Sequence, residues 1–150
     1  MRRQDRSISQ QEAFAVLQKA EYGILSVASP DGQPYGVPLN YCVLNDAIYF
    51  HCAGEGKKLD VLSKNSSVSF CAIGESKVLS EHFAMKYESA IISGKAEEVT
   101  GDEKQSALEG IVKKYSSQFM NDGLEYIKAN KASTKVYKIV IQSITGKARR

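Results

Sequence analysis

The segment from residue 51 to residue 60 combines three features that together could bind an anion. A predicted strand ends at Cys52, just after His51, a glycine-rich turn follows, and a short helix is predicted to begin at Lys58. Unpaired backbone N–H groups in such a turn and the positive end of the helix dipole both attract anions. Lys57 and Lys58 add two positive charges. The segment therefore predicts a phosphate site, although a glycine turn followed by two solvated lysines fits it equally well.

His51 is the side chain of this region best suited to acid–base chemistry, because an imidazole changes its charge near neutral pH. It follows Tyr49 by two residues, so strand alternation places both side chains on one face. A lone histidine in a strand also fits a purely structural role. The other histidine, His82, is too far along the sequence to be predicted as its partner.

Standard catalytic and metal-binding motifs are absent from the sequence. It contains no nucleophile elbow, no zinc-protease motif, no P-loop and no complete dinucleotide-binding fingerprint. Its three cysteines, Cys42, Cys52 and Cys71, lie in predicted strands and form no Cys-x-x-Cys pair. This pattern predicts buried thiols in a reducing cytoplasm and no metal site. A bound cofactor would supply the reactivity that the side chains lack.

The composition is typical of a globular protein. The chain has 150 residues, enough for one domain over residues 1–150, and a net charge of +3. No basic stripe follows a predicted helix, and no apolar run approaches the roughly 20 residues that cross a bilayer. The first residues lack the apolar core of a signal peptide. We therefore expect one cytoplasmic domain that binds neither nucleic acid nor a membrane.

Hydrophobic alternation and turn signals predict a mainly β protein with flanking helices. Two capping boxes, Ser9 with Glu12 and Thr100 with Glu103, predict the starts of the two longer helices. Because strands do not alternate with helices, a small antiparallel barrel fits better than a parallel sheet. The predicted strands are 22–28, 33–39, 40–44, 47–52, 67–73, 88–99 and 135–144, and the predicted shorter helices are 58–63 and 124–129.

Individual residues predict further local features of the sheet. Pro34 and Pro38 cannot donate hydrogen bonds to a ladder, which indicates an edge strand. Residues 45–46, Asn-Asp, predict a two-residue hairpin turn, and Gly94 predicts a bulge within a long strand. Residues 74–86 show neither the alternation of a strand nor the 3.6-residue repeat of a helix, and they are predicted to be a connection.

Several of these segments, in this order, resemble the pyridoxamine 5′-phosphate oxidase-like flavoproteins, and most of all their nitroimidazole-resistance (Nim-type) branch. The resemblance covers roughly residues 12–100 and implies an FMN-binding split β-barrel of six to seven antiparallel strands. It also implies a homodimer with flavin in clefts between the subunits. The similar runs are Tyr35-Gly36-Val37-Pro38-Leu39-Asn40-Tyr41, Ile48-Tyr49-Phe50-His51, Ala53 followed by Gly56-Lys57-Lys58-Leu59-Asp60, residues 65–70 and residues 89–96.

The resemblance assigns roles to particular residues. His51 would lie close to the flavin or its substrate as the catalytic residue, and Lys57 and Lys58 would face the phosphate. The isoalloxazine ring would lie along the strand formed by Val37, Pro38, Leu39 and Asn40. The remaining cofactor-binding positions that it implies are Ala53, Gly56, Tyr87 and Ser89.

One position departs from the family pattern. Relatives often carry an arginine just before the residue that matches Ser89, and this sequence has Glu88 there. A carboxylate would repel a phosphate. Either Glu88 points away, or Lys57 and Lys58 hold the phosphate alone. The departure leaves FMN and FAD as alternative cofactors.

The function implied by the resemblance is reduction of a small molecule by FMN, with nitroaromatic compounds such as 5-nitroimidazoles as acceptors. The alternative is a flavin-binding protein without turnover, acting as a carrier, sensor or scavenger, because a fold does not fix a function. A pyridoxamine phosphate oxidase is a third interpretation. Basic residues for the phosphate of its substrate are not evident in the sequence.

Overall fold

The computed structural model describes residues 2–150, which form eight strands and four α-helices with short 3₁₀ turns between them. The helices are α1 (Gln10–Lys19), α2 (Lys57–Leu62), α3 (Gly101–Ser116) and α4 (Met120–Asn130). The strands are β1 (Ser7–Ile8), β2 (Gly23–Ala28), β3 (Pro34–Leu39), β4 (Cys42–Leu44), β5 (Ala47–Ala53), β6 (Ser67–Leu79), β7 (Ala84–Val99) and β8 (Thr134–Arg149).

All eight strands belong to one antiparallel sheet with the order β3-β2-β6-β7-β8-β5-β4, and β1 pairs with β8. The edge strands β3 and β4 are joined by only two residues, Asn40 and Tyr41. Three Cα steps span at most about 11 Å, so the two edges approach each other there and the sheet curls. Within the described residues no ladder joins β3 to β4, so the barrel stays open.

The predicted fold class, a mainly β split barrel with flanking helices, is confirmed. The expected six to seven strands become eight because the short β1 was not foreseen. The edge position predicted from Pro34 and Pro38 is confirmed for β3, which pairs with β2 alone. The turn at residues 45–46 is also confirmed, with φ values of 49° and 59° that suit a type I′ hairpin. The first capping box forms as predicted, since the Glu12 N–H donates to Ser9 Oγ.

Two expectations are wrong. Residues 74–86 are not a connection, because β6 and β7 continue as a paired hairpin through this region. The second capping box does not form, because Thr100 makes no side-chain cap. Glu103 instead accepts a hydrogen bond from the Tyr49 hydroxyl at 2.7 Å and pairs with Lys138 at 3.0 Å.

Two apolar cores hold the structure together. The larger fills the barrel, where buried residues such as Leu25, Phe50 and Phe70 pack beneath α1. The smaller lies on the outer face of β4, β5 and β8, which is covered by Ile111 of α3 and Ile127 of α4. The helices therefore cover only part of the outside of the barrel. Of the three cysteines, Cys42 and Cys52 are buried and Cys71 is half-buried.

None of the helices in residues 2–150 combines the length and the apolar character that crossing a bilayer requires.

Gly94 lies at the predicted bulge, where the register between β7 and β8 shifts. A Cβ atom at this position would lie 2.3 Å from the carbonyl oxygen of Val140. We therefore expect Gly94→Ala to lower the free energy of unfolding by about 1–3 kcal/mol, because backbone atoms must move to admit the methyl group. Urea unfolding measures the change. The exposed neighbour Ser93 gives the control Ser93→Ala, which should change stability by less than about 0.5 kcal/mol; equal effects of both substitutions would contradict the explanation.

Candidate functional site

Residues 54–58, which we call the α2 turn, connect β5 to the first residues of α2 and carry two lysines. Gly56 caps α2 with φ = 144°, a backbone conformation that favours glycine, and its carbonyl accepts hydrogen bonds from the N–H groups of Leu59 and Asp60. Lys57 and Lys58 form no ion pair within the described part of the chain. Because α2 has only six residues, these two charges, more than the helix dipole, make the turn attractive to an anion.

Strand β3 lies beside this turn. The Lys57 ammonium is 4.6 Å from the ring centroid of Tyr35, a cation–π contact that joins α2 to β3. Along β3 the side chains of Val37 and Leu39 pack against the barrel core, and Pro38 is exposed. Since β3 is hydrogen-bonded on one side only, its other backbone edge is free to bind a ligand.

His51 lies on the outer face of β5, as does Tyr49, in agreement with the predicted alternation. Tyr49 is buried in the smaller core, whereas His51 is exposed. Partial desolvation by the surrounding strands lowers the pKa of His51, and the positive charge of Lys58 lowers it further. At neutral pH the imidazole is therefore neutral, with one ring nitrogen as a donor and the other as an acceptor.

His51 and Asn40 both lie two residues beyond the last pair of the β4–β5 ladder. This last pair joins Cys42 to Tyr49. Asn40 precedes Cys42 in the link between β3 and β4, and His51 follows Tyr49 on β5. Asn40, His51 and Lys57 are all exposed. Ala53 and Gly56, both exposed, connect His51 to the lysines along the chain.

Tyr87 and Ser89 lie far from the lysines within one chain. His51 pairs with Val136 of β8, whereas Ser89 pairs with Lys147, eleven residues further along that strand. Eleven residues of extended strand span about 35 Å, less where the strand coils. One copy of the chain therefore does not bring all the predicted site residues together.

Glu88 forms an ion pair with Arg150, the residue that follows β8. Its carboxylate accepts a hydrogen bond from Arg150 at 3.3 Å, and Arg150 also binds Glu12 at 3.0 Å. The Arg150 guanidinium therefore offsets the charge of Glu88 within the chain. The hydrogen bonds from Ser9 and Arg150 also lower the pKa of Glu12.

Two neighbouring clefts flank the site. One, of about 540 Å³, is lined by Asn40, Tyr22, Lys114 and Tyr115 among others. The second, of about 530 Å³, is lined by Glu88 and shares Tyr22 with the first. Of the predicted cofactor-binding residues, Asn40 alone lines either of them.

Sequence reasoning overlooked two features of this region. The contact of Tyr35 with Lys57 could have been suspected, since Tyr35 belongs to the same strand as the predicted site residues. Lys114 and Tyr115 gave no signal, because they resemble ordinary residues in the last turn of an amphipathic helix.

Removing the Lys58 charge should raise the pKa of His51 towards its ordinary value of about 6.5, because one of the two causes of the shift is lost. NMR titration of the His51 imidazole in Lys58→Gln measures this directly. Lys64→Gln, in which the lysine lies beyond the end of α2, is the matched control and should leave the titration of His51 unchanged. An unchanged His51 titration in Lys58→Gln would show that the two side chains do not interact.

Comparison with solved structures places this fold among known proteins. A candidate 5-nitroimidazole antibiotic resistance protein from Bacteroides thetaiotaomicron is 26% identical, with a TM-score of 0.74 over 94% of this chain and 85% of that one. A conserved hypothetical protein from Mycobacterium tuberculosis is 19% identical, with a TM-score of 0.82 over 99% of this chain and 89% of that one. An FAD-binding protein from Mesorhizobium loti is 22% identical, with a TM-score of 0.68 over 97% of this chain and 98% of that one.

Sequence comparison gives the family. No curated protein sequence matches the chain. The family model described as pyridoxamine 5′-phosphate oxidase matches residues 9–148, nearly the whole chain. This match extends beyond the resemblance seen in the sequence and includes α3, α4 and most of β8. The chain therefore belongs to the pyridoxamine 5′-phosphate oxidase family.

Proposed function

We propose that this protein binds FMN and uses it to reduce a small molecule, with nitroaromatic compounds as the substrate class. The main support is the convergence of three elements at the split of the barrel. Strand β3 offers a free backbone edge, Lys57 contacts Tyr35 of that strand, and Lys58 lies close enough to His51 to lower its pKa. The family membership and the FAD-binding relative from Mesorhizobium loti favour a flavin as the ligand of this arrangement.

The residues fit a flavin in charge and shape. Lys57 and Lys58, which have no ion-pair partners in the described part of the chain, would hold the phosphate. β3 has six residues and is about 20 Å long, long enough for the ring system to lie along its free edge from Val37 to Asn40. Bound FMN would supply hydride or electron transfer from its reduced ring.

His51 would act on the substrate as a hydrogen-bond donor, not as a carrier of electrons. Its neutral ring can donate a hydrogen bond to an oxygen of the substrate and stabilise the negative charge that develops there, while solvent supplies the proton. Because its pKa is lowered, the ring is neutral before the reaction and would orient the substrate through this hydrogen bond. The choice of a nitro group as the acceptor draws on the candidate 5-nitroimidazole resistance protein, to which the chain is 26% identical.

We further propose a homodimer with the flavin at the subunit interface. Tyr87 and Ser89 lie on β7 beside the last residues of β8, whereas His51 pairs with Val136 near the start of β8, so one chain does not bring them to a flavin held by Lys57. A second copy would bring them to it. The outer face of the sheet offers a surface for that copy, where Ile24, Cys71 and Ile91 form one row across three strands and Ile91 is 44% exposed.

Flavin binding and turnover should respond to different residues. We expect the purified protein to show a flavin absorption spectrum and to release FMN. Lys57→Ala with Lys58→Ala should weaken FMN affinity at least about tenfold, because charged hydrogen bonds to the phosphate are lost. His51→Ala should instead lower NADH- or NADPH-driven reduction of a nitroaromatic compound more than it weakens FMN affinity.

Lys64→Ala is the control for both measurements and should change neither. Equal losses of turnover and affinity in His51→Ala would contradict its role towards the substrate. Tight flavin binding without turnover would favour the carrier, sensor or scavenger. Release of FAD would change the cofactor but not the site. A protein that binds no flavin would overturn the proposal.

The homodimer can be tested at the row on the outer sheet face. Ile91→Asp should convert a dimer into a monomer in analytical ultracentrifugation, because a carboxylate would be buried without a partner. Flavin affinity should fall in the same variant. Tyr126→Asp replaces an exposed aromatic residue on α4, away from this face, and should leave both properties unchanged. A monomeric parent protein that binds flavin would contradict the shared site.

A further inference from the structure

Lys114 carries the one unsatisfied buried side-chain nitrogen or oxygen found in residues 2–150. Its ammonium nitrogen is shielded from water and has no hydrogen-bond partner. It lies 3.7 Å from the ring centroid of Tyr41 and 5.3 Å from that of Tyr115. We call this arrangement the tyrosine cage. The charge is thus held against two aromatic faces and faces no acceptor.

The cage compensates the charge only in part. The free energy gained from a cation–π contact is smaller than the hydration free energy that an ammonium loses on burial. The same burial lowers the pKa of Lys114. Attraction between the ammonium and the carboxyl end of the α3 dipole does not explain why Lys114 is buried. Lys113 lies in the same turn and experiences the same attraction, but its side chain is exposed. The structure keeps a cation in an unfavourable place, which is typical of functional residues.

The cage itself is fixed. The Tyr115 hydroxyl donates to the carbonyl of Glu21 at 2.6 Å and accepts the Tyr41 N–H at 3.1 Å. Tyr41 is fully buried, and its hydroxyl donates to the carbonyl of Leu17. The rings therefore do not move to release the ammonium, whereas a lysine side chain has four rotatable bonds.

A cleft that contains Lys114 adjoins the cage. Its volume of about 540 Å³ suits a small ligand. It contains two lysines and a single carboxylate, with two amide side chains and two tyrosines beside them. The lining residues are Gln18, Lys19, Glu21, Tyr22, Asn40, Lys114 and Tyr115. A ligand that carries a carboxylate would provide the acceptor that Lys114 lacks.

We propose that Lys114 is the anion-binding arm of this cleft and recognises small aromatic carboxylates. On binding, its ammonium would leave the tyrosine cage, enter the cleft and pair with the ligand carboxylate. Gln18 and Asn40 can donate hydrogen bonds to the same group. Asn40 also follows directly after the strand proposed to hold the flavin, so a bound acid would lie beside that cofactor. This last placement rests on the proposed function, but the binding of the acid does not.

Binding of benzoate to the purified protein, compared with the uncharged benzamide, tests the proposal by isothermal titration. We expect benzoate to bind more tightly than benzamide. Lys114→Met should weaken benzoate binding at least about tenfold, the loss of one charged hydrogen bond, and leave benzamide unchanged. Lys113→Met, the exposed neighbour, is the matched control and should bind benzoate as the parent protein does. Lys114→Arg keeps the charge and should retain binding.

Thermal unfolding distinguishes this role from a structural one. Lys114→Met should raise the Tm, because an apolar side chain of similar length replaces an unpaired buried charge. A lowered Tm with unchanged benzoate binding would show that the cage is structural and overturn the proposal. Equal binding of benzoate and benzamide by the parent protein would also overturn it.

A measurement on the parent protein avoids dependence on any variant. The NMR signals of the Lys114 ε-methylene group should feel the ring current of Tyr41 and lose it when benzoate is added. Signals that stay in place at saturating benzoate would overturn the proposal. None of these measurements requires flavin or turnover, so their failure would leave the proposed reductase function untouched.

Discussion

The two-residue link between β3 and β4 is the constraint on which the rest of the structure depends. These strands are the two edges of the sheet, and Asn40 and Tyr41 alone connect them. Tyr41 anchors the link from inside: its ring meets Phe70 edge-on at 4.8 Å, and its hydroxyl reaches α1. Because the edges must meet at this point, the sheet can only curl. β3 contacts the α2 turn through Tyr35 and Lys57, and the charge of Lys58 on the same turn acts on His51.

An edge strand that is kept open for a ligand carries a risk, since its unpaired backbone groups can also pair with another chain. Pro34 and Pro38 reduce this risk in β3, because each removes one backbone donor. Lys57 of α2 lies over Tyr35, and its positive charge would repel the same region of a second copy of the chain, which carries the same charge. The same strand is therefore protected against aggregation and accessible to a small anionic molecule.

The parts of the structure that were predictable are those whose signals are local in sequence. Alternation along β2, the Asn45-Asp46 turn and the bulge at Gly94 each depend on a few consecutive residues. The candidate turn at residues 54–58 was found for the same reason. Its lysines and glycines are adjacent in the chain.

The parts that were missed depend on residues that meet only in the folded chain. Residues 74–86 extend a two-stranded hairpin beyond the barrel, where Val78 and Phe83 are exposed and no buried face imposes alternation. The pairing of Glu88 with Arg150 and the cage around Lys114 join distant segments. In the second capping box a tertiary contact prevailed over the local signal, because Glu103 binds Tyr49 and Lys138.

Strand β8 has a consequence for how the chain is assembled. It pairs with β5 through residues 134–140 and with β7 through residues 136–149, and β5 has no other attachment to the sheet except β4. During synthesis the β4–β5 hairpin therefore exists long before its main partner, with Ile48 and Phe50 of the future core facing water. Such high contact order slows folding and exposes apolar strands to association. A nascent chain halted before β8 would be a natural client for chaperones, however stable the finished barrel.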